Sequence, residues 1–430
     1  MRAPAVCALS KTPMDPFMSL TSPLAAPNRA ATFPALPGTS RRRLLAAGAG
    51  AALLGLPAMG WSAAPPVVAS NANVQWIGPQ LKAPARRIVL AQGRMLPALG
   101  IVDPDIANKL VGWANDLSTM YAAENAAWVA KYPALAKLPV VGRGRPETLS
   151  VEQVLALNPD LVIYSRQVAG SPATYARSTT FQTLSKAGIP VLVVDFFMQP
   201  LDNTLPSLRT LAQVLGTTAH AQPFLDDYTR RLELIRQRIA QAAPKRPQVF
   251  VHAHAGSADC CFSPGRGTFD DFVSLAGGHN LGADLLTSPT GQIAREMVLR
   301  LQPDLYIATG TDTLHGTGKF LIGPNIEPQA AATGLRDVIK LSQLDMLDAV
   351  NRGDAHGFWH GFNDTPAHIV LIEALAKWMQ PKLFQDLDPA ATLRTINDRY
   401  FQVPLKGTFW TDLPAGRKTA GLASSVFSAS

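Results

Sequence analysis

Apolar residues recur every three or four positions and then become continuous in two segments, 149–164 (LSVEQVLALNPDLVIY) and 293–308 (IAREMVLRLQPDLYIA). At a constant offset of 144, eight of the sixteen positions are identical: Glu152/Glu296, Val154/Val298, Leu155/Leu299, Leu157/Leu301, Pro159/Pro303, Asp160/Asp304, Leu161/Leu305 and Ile163/Ile307. The first spacing predicts a helix, Pro-Asp stops it, and the β-branched run predicts a buried strand. Two copies at so long a period predict a duplicated lobe, not a solenoid.

The rest of the pattern agrees. Strands are predicted at Arg87–Leu90, Lys109–Trp113, Leu161–Tyr164 and Val191–Val194. Between them lie a loop with Gln92, Gly93 and Arg94, a short helix through Leu99, and a helix at Phe181–Ala187. Such alternation implies a parallel sheet flanked by helices. Residues 202–243 predict a helical rod, because Phe224, Leu225, Tyr228, Leu232, Ile235 and Ile239 share one face. Pro223 belongs near its start or at a kink. A second lobe restarts with a strand at Gln248–His252 and a loop holding His254, Asp259, Cys260, Cys261 and Arg266. Thr268 is the expected N-cap of a helix closed by Gly277-Gly278. A helix from about Pro366 to Met379, with Thr365 as N-cap, follows the second repeat. The expected fold is α/β: two parallel-sheet, Rossmann-like lobes joined by one long helix, with a ligand cleft between the lobes. The lobes are 72–201 and 244–413, the connector is 202–243, and 414–430 is read as a flexible tail.

Residues 1–64 are read as a leader. Arg41, Arg42 and Arg43 precede an uncharged, weakly hydrophobic stretch, Leu44–Gly60, with small residues after it. That is the twin-arginine export pattern, with Arg41 and Arg42 as the pair. The stretch is too short and too rich in glycine for a good membrane span. The formal net charge of the whole chain is +8. Without the leader, 33 basic and 30 acidic residues remain, a net +3, so the charge gives no argument for nucleic acid. Of three cysteines, Cys260 and Cys261 lie beyond the leader, and they are neighbours. Two small, semi-buried thiols are expected there, with a disulfide between neighbours as the alternative.

This order of parts resembles the periplasmic substrate-binding proteins of ABC importers for iron-siderophores, haem and cobalamin. The resemblance covers about residues 85–400. It is carried by Leu149 through Ile163, by Leu275-Ala276-Gly277-Gly278-His279-Asn280, by the second Glu–Pro–Asp segment at 296–304, and by Pro381-Lys382-Leu383-Phe384 with Asp386 and Asp388-Pro389. It implies that Glu152 and Glu296, one on each lobe, dock into arginine pockets of a dimeric inner-membrane permease that works with an ATPase. The implied function is periplasmic capture of an iron complex, a ferric siderophore or haem-like chelate, by a monomer that is not an enzyme and holds no cofactor. Cobalamin or a nickel chelate is the alternative cargo.

Ligands of open parallel sheets bind beyond the carboxyl ends of the strands. That rule nominates Arg94, Trp113, Arg145 and Arg166, with Arg143 beside them, from the first lobe. From the second it nominates His252, His254, Arg266, Thr311, Trp359 and His360. Arginine forks with aromatic rings opposite suit a flat or bulky anionic complex. His252 and His254 share a strand face, and His356 and His360 lie four apart, yet no third metal ligand follows by spacing, so the metal is left unknown. The rival class, a redox enzyme exported folded, lacks support: there is no CxxC, no Gly-rich dinucleotide loop and no GxSxG.

Overall fold

The computed structural model describes residues 74–257, 260–312 and 320–413. Arg41, Arg42 and the rest of the expected leader, Asp259, and the expected tail at 414–430 lie outside them.

Two sheets carry the architecture. The first holds β1 (Gln75–Ile77), β2 (Ile88–Leu90), β3 (Leu110–Ala114), β4 (Val140–Gly142), β5 (Leu161–Ser165) and β6 (Val191–Val194) in the order β1-β6-β5-β2-β3-β4. All neighbours are parallel except β1 against β6. The second holds β7 (Gln248–His252), β8 (His279–Asn280), β9 (Leu305–Gly310), β10 (Ala355–Trp359) and β11 (Trp410–Asp412) in the order β11-β10-β9-β7-β8. Here only β11 is antiparallel, against β10. Strands β2, β5, β6 and β9 are buried along their whole length, as continuous apolar runs with helices on both faces should be.

Helices α1 (Leu96–Val102) and α2 (Ala122–Lys131) follow β2 and β3. The two copies of the repeated segment fold alike. Helix α3 (Val151–Leu157) precedes β5, and the connector follows as α4 (Pro200–Leu215) and α5 (Thr218–Ala242). In the second lobe α6 (Phe269–Leu275) is followed by α7 (Arg295–Leu301), which precedes β9. Both α3 and α7 end on a left-handed residue, Asn158 (φ 45°) and Gln302 (φ 46°), which turns the chain into Pro-Asp. The aspartates have a shared task. Asp160 accepts from the backbone N–H groups of Arg86 (2.8 Å) and Arg87 (3.0 Å), just before β2. Asp304 accepts from the N–H of Gln248 (2.8 Å), the first residue of β7. Each repeat thus pins the entry of the strand beside it.

The connector departs from a single rod. Gly216, at φ 71°, ends α4, and α5 restarts at Thr218 with Pro223 inside it. Helix α5 packs on α1 and α4 on one side, and on α6 and α8 (His368–Met379) on the other. At ~1.5 Å per residue its 25 residues span about 37 Å. It is tied to α8 by polar contacts as well: Tyr228 Oη lies 2.6 Å from His368 Nε2, and Arg231 pairs with Glu373 at 2.9 Å. Gly277-Gly278 closes α6 where bulk is excluded, since a Cβ on Gly277 would lie 2.5 Å from Ile239 of the rod. Thr268 is not the expected cap: it sits at φ 48° and its side chain makes no capping bond. Thr365 accepts from the N–H of Ala367 at 3.4 Å, and α8 starts two residues later than the spacing predicts. Cys260 and Cys261 form a disulfide, the alternative to two thiols.

Replacing Asp160 by Ala removes an acceptor from two strand-entry N–H groups, an expected loss of about 1–3 kcal/mol. Asp304→Ala, with one such bond, should lose less. Urea denaturation of both variants measures the order, and wild-type midpoints would show that these carboxylates do not pin the strands.

Candidate functional site

Each sheet reverses its strand order once, and at such a point the loops on either side part to leave a crevice. In the first sheet the reversal is between β2 and β5. Their exits supply Gln92-Gly93-Arg94 and Arg166-Gln167. In the second it is between β7 and β9, whose exits supply His254 and Thr309-Gly310-Thr311, with His360 leaving the neighbouring β10.

The two crevices meet. Arg94 is buried, its side chain 8% exposed, and it pairs with Asp116 (3.6 Å) from the exit of β3. From the second lobe Asp364 approaches it to 3.5 Å. Arg94 also donates to Gln167, and its Nη1 lies 3.1 Å from Met120 Sδ. Tyr121 donates to the same Asp364 at 2.7 Å and meets Trp359 edge-on at 5.5 Å. Two residues further along the first lobe, the N–H of Ala123 donates to Asp312 (3.2 Å). On the second lobe the rings of His254 and His360 stack 3.7 Å apart. Thr309 Oγ1 joins them, 2.8 Å from His360 Nδ1 and accepting from the His254 N–H at 2.8 Å.

The electrostatics follow from burial and pairing. Burial alone would lower the Arg94 pKa, but Asp364, Tyr121 and Asp116 outweigh it and hold the guanidinium above its ordinary value. Burial raises Asp116 against the pull of Arg94 and of the Gly93 N–H, which donates to it at 2.6 Å. Burial, then Asp364, lifts Tyr121 well above an ordinary phenol. His360 is driven well down by burial, then by His254 and Arg94, and His254 is lowered by burial against the opposing pull of Asp364. Both imidazoles are therefore neutral at neutral pH.

The nominated residues divide. Arg94, His254, Trp359 and His360 come together, although Trp359 is buried and presents an edge to Tyr121. Trp113 is not a cleft residue: as part of β3 it is buried in the core of the first lobe. Nor is His252, which is buried beside Tyr306 Oη at 2.9 Å, with burial pushing its pKa to about 4. Arg166, partly exposed, donates to Gln199 (2.8 Å) and lies 3.9 Å from Asp195. Arg143 and Arg145 are exposed on the turn whose Gly144 abuts the Asp116 carboxylate. Arg266 is exposed, and Thr311 is half-buried beside Leu321. Asp116, Tyr121, Glu124 and Asp364 were not nominated. The strand-exit rule reaches Asp116, two residues past β3, and Asp364, five past β10. Tyr121 and Glu124 lie beyond its reach. Among the described residues no group of three or more His, Cys, Asp or Glu side chains is placed to hold a metal ion.

The sequence profile of a family described as "Periplasmic binding protein" matches residues 96–323. A "Cobalamin-binding protein" of Halobacterium salinarum is 28% identical over 196 residues, 45% of this chain and 49% of that protein. A "Vitamin B12-binding protein" of Yersinia pestis is 29% identical over 167 residues, 38% of this chain and 54% of that protein. The chain thus spans about half the length of the curated relatives it matches. The solved structure of the TroA-like periplasmic binding protein FepB from Veillonella parvula superposes with a TM-score of 0.71 at 23% identity, covering 78% of this chain and 96% of that one. This likeness shows the two-lobe fold.

The cluster carries a proton. Burial first, then Asp312 and Asp364, push the Glu124 carboxyl from 4.5 to about 8. The folded protein keeps a proton there that the unfolded chain releases from about pH 4.5 upward. Stability from this group is therefore complete below that pH, declines as pH rises, and levels off above about pH 8. Glu124→Gln should flatten the fall of the melting temperature between about pH 5 and 8. Parallel thermal melts of wild type and variant check it, and identical pH profiles would place the proton elsewhere.

Proposed function

We propose that this chain, which belongs to the periplasmic binding protein family, captures a metal chelate between its two lobes and delivers it to an ABC permease coupled to an ATPase. The observation that carries this reading is the meeting of two switch-point crevices, with Arg94 and Tyr121 on one side and the neutral His254–His360 stack on the other. Neutral imidazoles and flat rings can face a planar or bulky chelate, and loops at opposed strand ends can grip it from two sides. We include Arg145, Arg166, Arg266 and Thr311 as rim residues of that cleft. The cargo class is an iron complex, a ferric siderophore or haem, or a corrinoid. The corrinoid reading is favoured by the names of two relatives, a cobalamin-binding and a vitamin-B12-binding protein.

We place the protein in the periplasm, exported through Arg41 and Arg42, and working as a monomer. No described helix is long and apolar enough to cross a membrane. Fluorescence titration of the exported protein with haem, cyanocobalamin, ferric siderophores and nickel-histidine tests the cargo. One class should bind, and His254→Ala with His360→Ala should weaken it about tenfold or more, as the loss of one good polar contact each would. Wild-type binding in that double variant would remove the histidine pair from the site.

Glu152 and Glu296 are our docking contacts. Each is the exposed second residue of its helix, α3 or α7, and the tight turn after the helix brings its start level with the strand exits that form the cleft. Converting both to Lys should lower the melting temperature only slightly, leave cargo affinity unchanged and cut uptake by about tenfold or more, because permease arginines would then face like charge. Uptake at the wild-type rate would reduce both to ordinary acids at helix starts, where a carboxylate is favourable anyway.

A further inference from the structure

Two of the strand-exit arginines nominated for the cleft, Arg94 and Arg166, already face carboxylates of the protein itself. Arg94, the most deeply placed, faces Asp116 from its own lobe and Asp364 from the other, at 3.6 Å and 3.5 Å. It also donates to Gln167, with Met120 Sδ and the Gln92 amide against its other nitrogens. The side chains of Arg94 and Asp364 are 8% and 11% exposed, so solvent screens the pair little. Asp364 also accepts from Tyr121, a second polar group of the first lobe. The second strand-exit arginine, Arg166, has the buried Asp195 carboxylate 3.9 Å away and Gln199 as acceptor. An anionic arm entering this cleft would meet carboxylates already seated where it would bind. Displacing Asp364 would leave a charge without its partners in a largely dry site, which is costly. Beside Asp364, the second lobe also offers the stacked rings of His254 and His360.

We propose that Asp364 determines ligand charge: by occupying Arg94 and Tyr121 from the opposite lobe, it makes the cleft select metal chelates without net negative charge and exclude polyanionic ones. This rests on the reading of the protein as a chelate binder and narrows it to neutral or cationic complexes, such as corrinoids or ferric hydroxamates, as against ferric catecholates.

A pair of probes with the same metal and similar size isolates charge: a neutral ferric tris(hydroxamate) and the trianionic ferric tris(catecholate), with cyanocobalamin as a neutral reference. Wild-type protein should bind at least one neutral probe and take the trianion at least about a hundredfold more weakly. Asp364→Asn keeps the shape and an acceptor for Tyr121 while removing one of the two carboxylate charges that face Arg94. It should improve trianion affinity about tenfold or more, with neutral probes changing less than about threefold. Asp364→Glu should restore discrimination. The gain in Asp364→Asn should shrink as salt is raised, which a mere change of shape would not produce. Tight trianion binding by wild type, or equal trianion affinity in wild type and Asp364→Asn, overturns the assignment and leaves the chelate-binder reading standing. Failure of wild type and variants to bind any chelate removes that reading and this inference together. Thermal melts of both variants, expected within a few degrees of wild type, keep misfolding from passing as altered selectivity.

Discussion

A guanidinium taken out of water must be paired, and in this protein the pairing reaches across two lobes. The partners of Arg94 come from the exit of β3 (Asp116) and from the segment after β10 (Asp364), so its own lobe supplies one carboxylate and the other lobe brings a second against it. Leaving a buried charge with no partner costs several kcal/mol, but Arg94 keeps one carboxylate when the other is removed, and an intact pair adds little net stability. Its main effect is therefore positional. Tyr121 shares Asp364, Trp359 packs against Tyr121, and His254 and His360 sit within the field of the same charges.

The frame around this contact was written plainly in the sequence. The repeated helix–Pro-Asp–strand segments mark equivalent places in the two lobes, and the aspartates explain themselves once the sheets are seen: they cap the entry of the neighbouring parallel strand. The apolar stripe from Phe224 to Ile239 is the buried face of α5. The break at Gly216 was not legible, because a lone glycine in an amphipathic stretch is as compatible with a continuous helix as with a left-handed cap.

The site was legible in part. Strand-exit reasoning found Arg94, His254 and His360, since the topological rule acts on sequence-adjacent loops. It also chose Trp113 and His252, which lie on the strands themselves, where alternation along the pleat turns a side chain into the core. Tyr121 and Asp364 are 243 residues apart, and no local pattern announces that they meet. Glu124 lies in the first turn of α2 and is buried near Asp312 and Asp364 of the other lobe, a setting that no local pattern announces.

The duplicated lobes are alike in scaffold and unlike in what they present. One crevice offers a guanidinium and a phenol, the other a pair of imidazoles. A molecule held between such jaws is not free to bind upside down, because turning it over would exchange two chemically different walls. The acids on α3 and α7, in contrast, are related by the repeat and look nearly the same from outside. A twofold-symmetric receptor would accept the protein in two orientations rotated by half a turn. The cargo would then arrive in either of two headings related by that half turn, yet always with the same face leading out of the cleft. Under the proposed docking and cargo site, pseudo-symmetry in the shell and polarity in the cavity would separate two tasks: the shell would tolerate either way of landing, and the cavity would keep the direction of release constant.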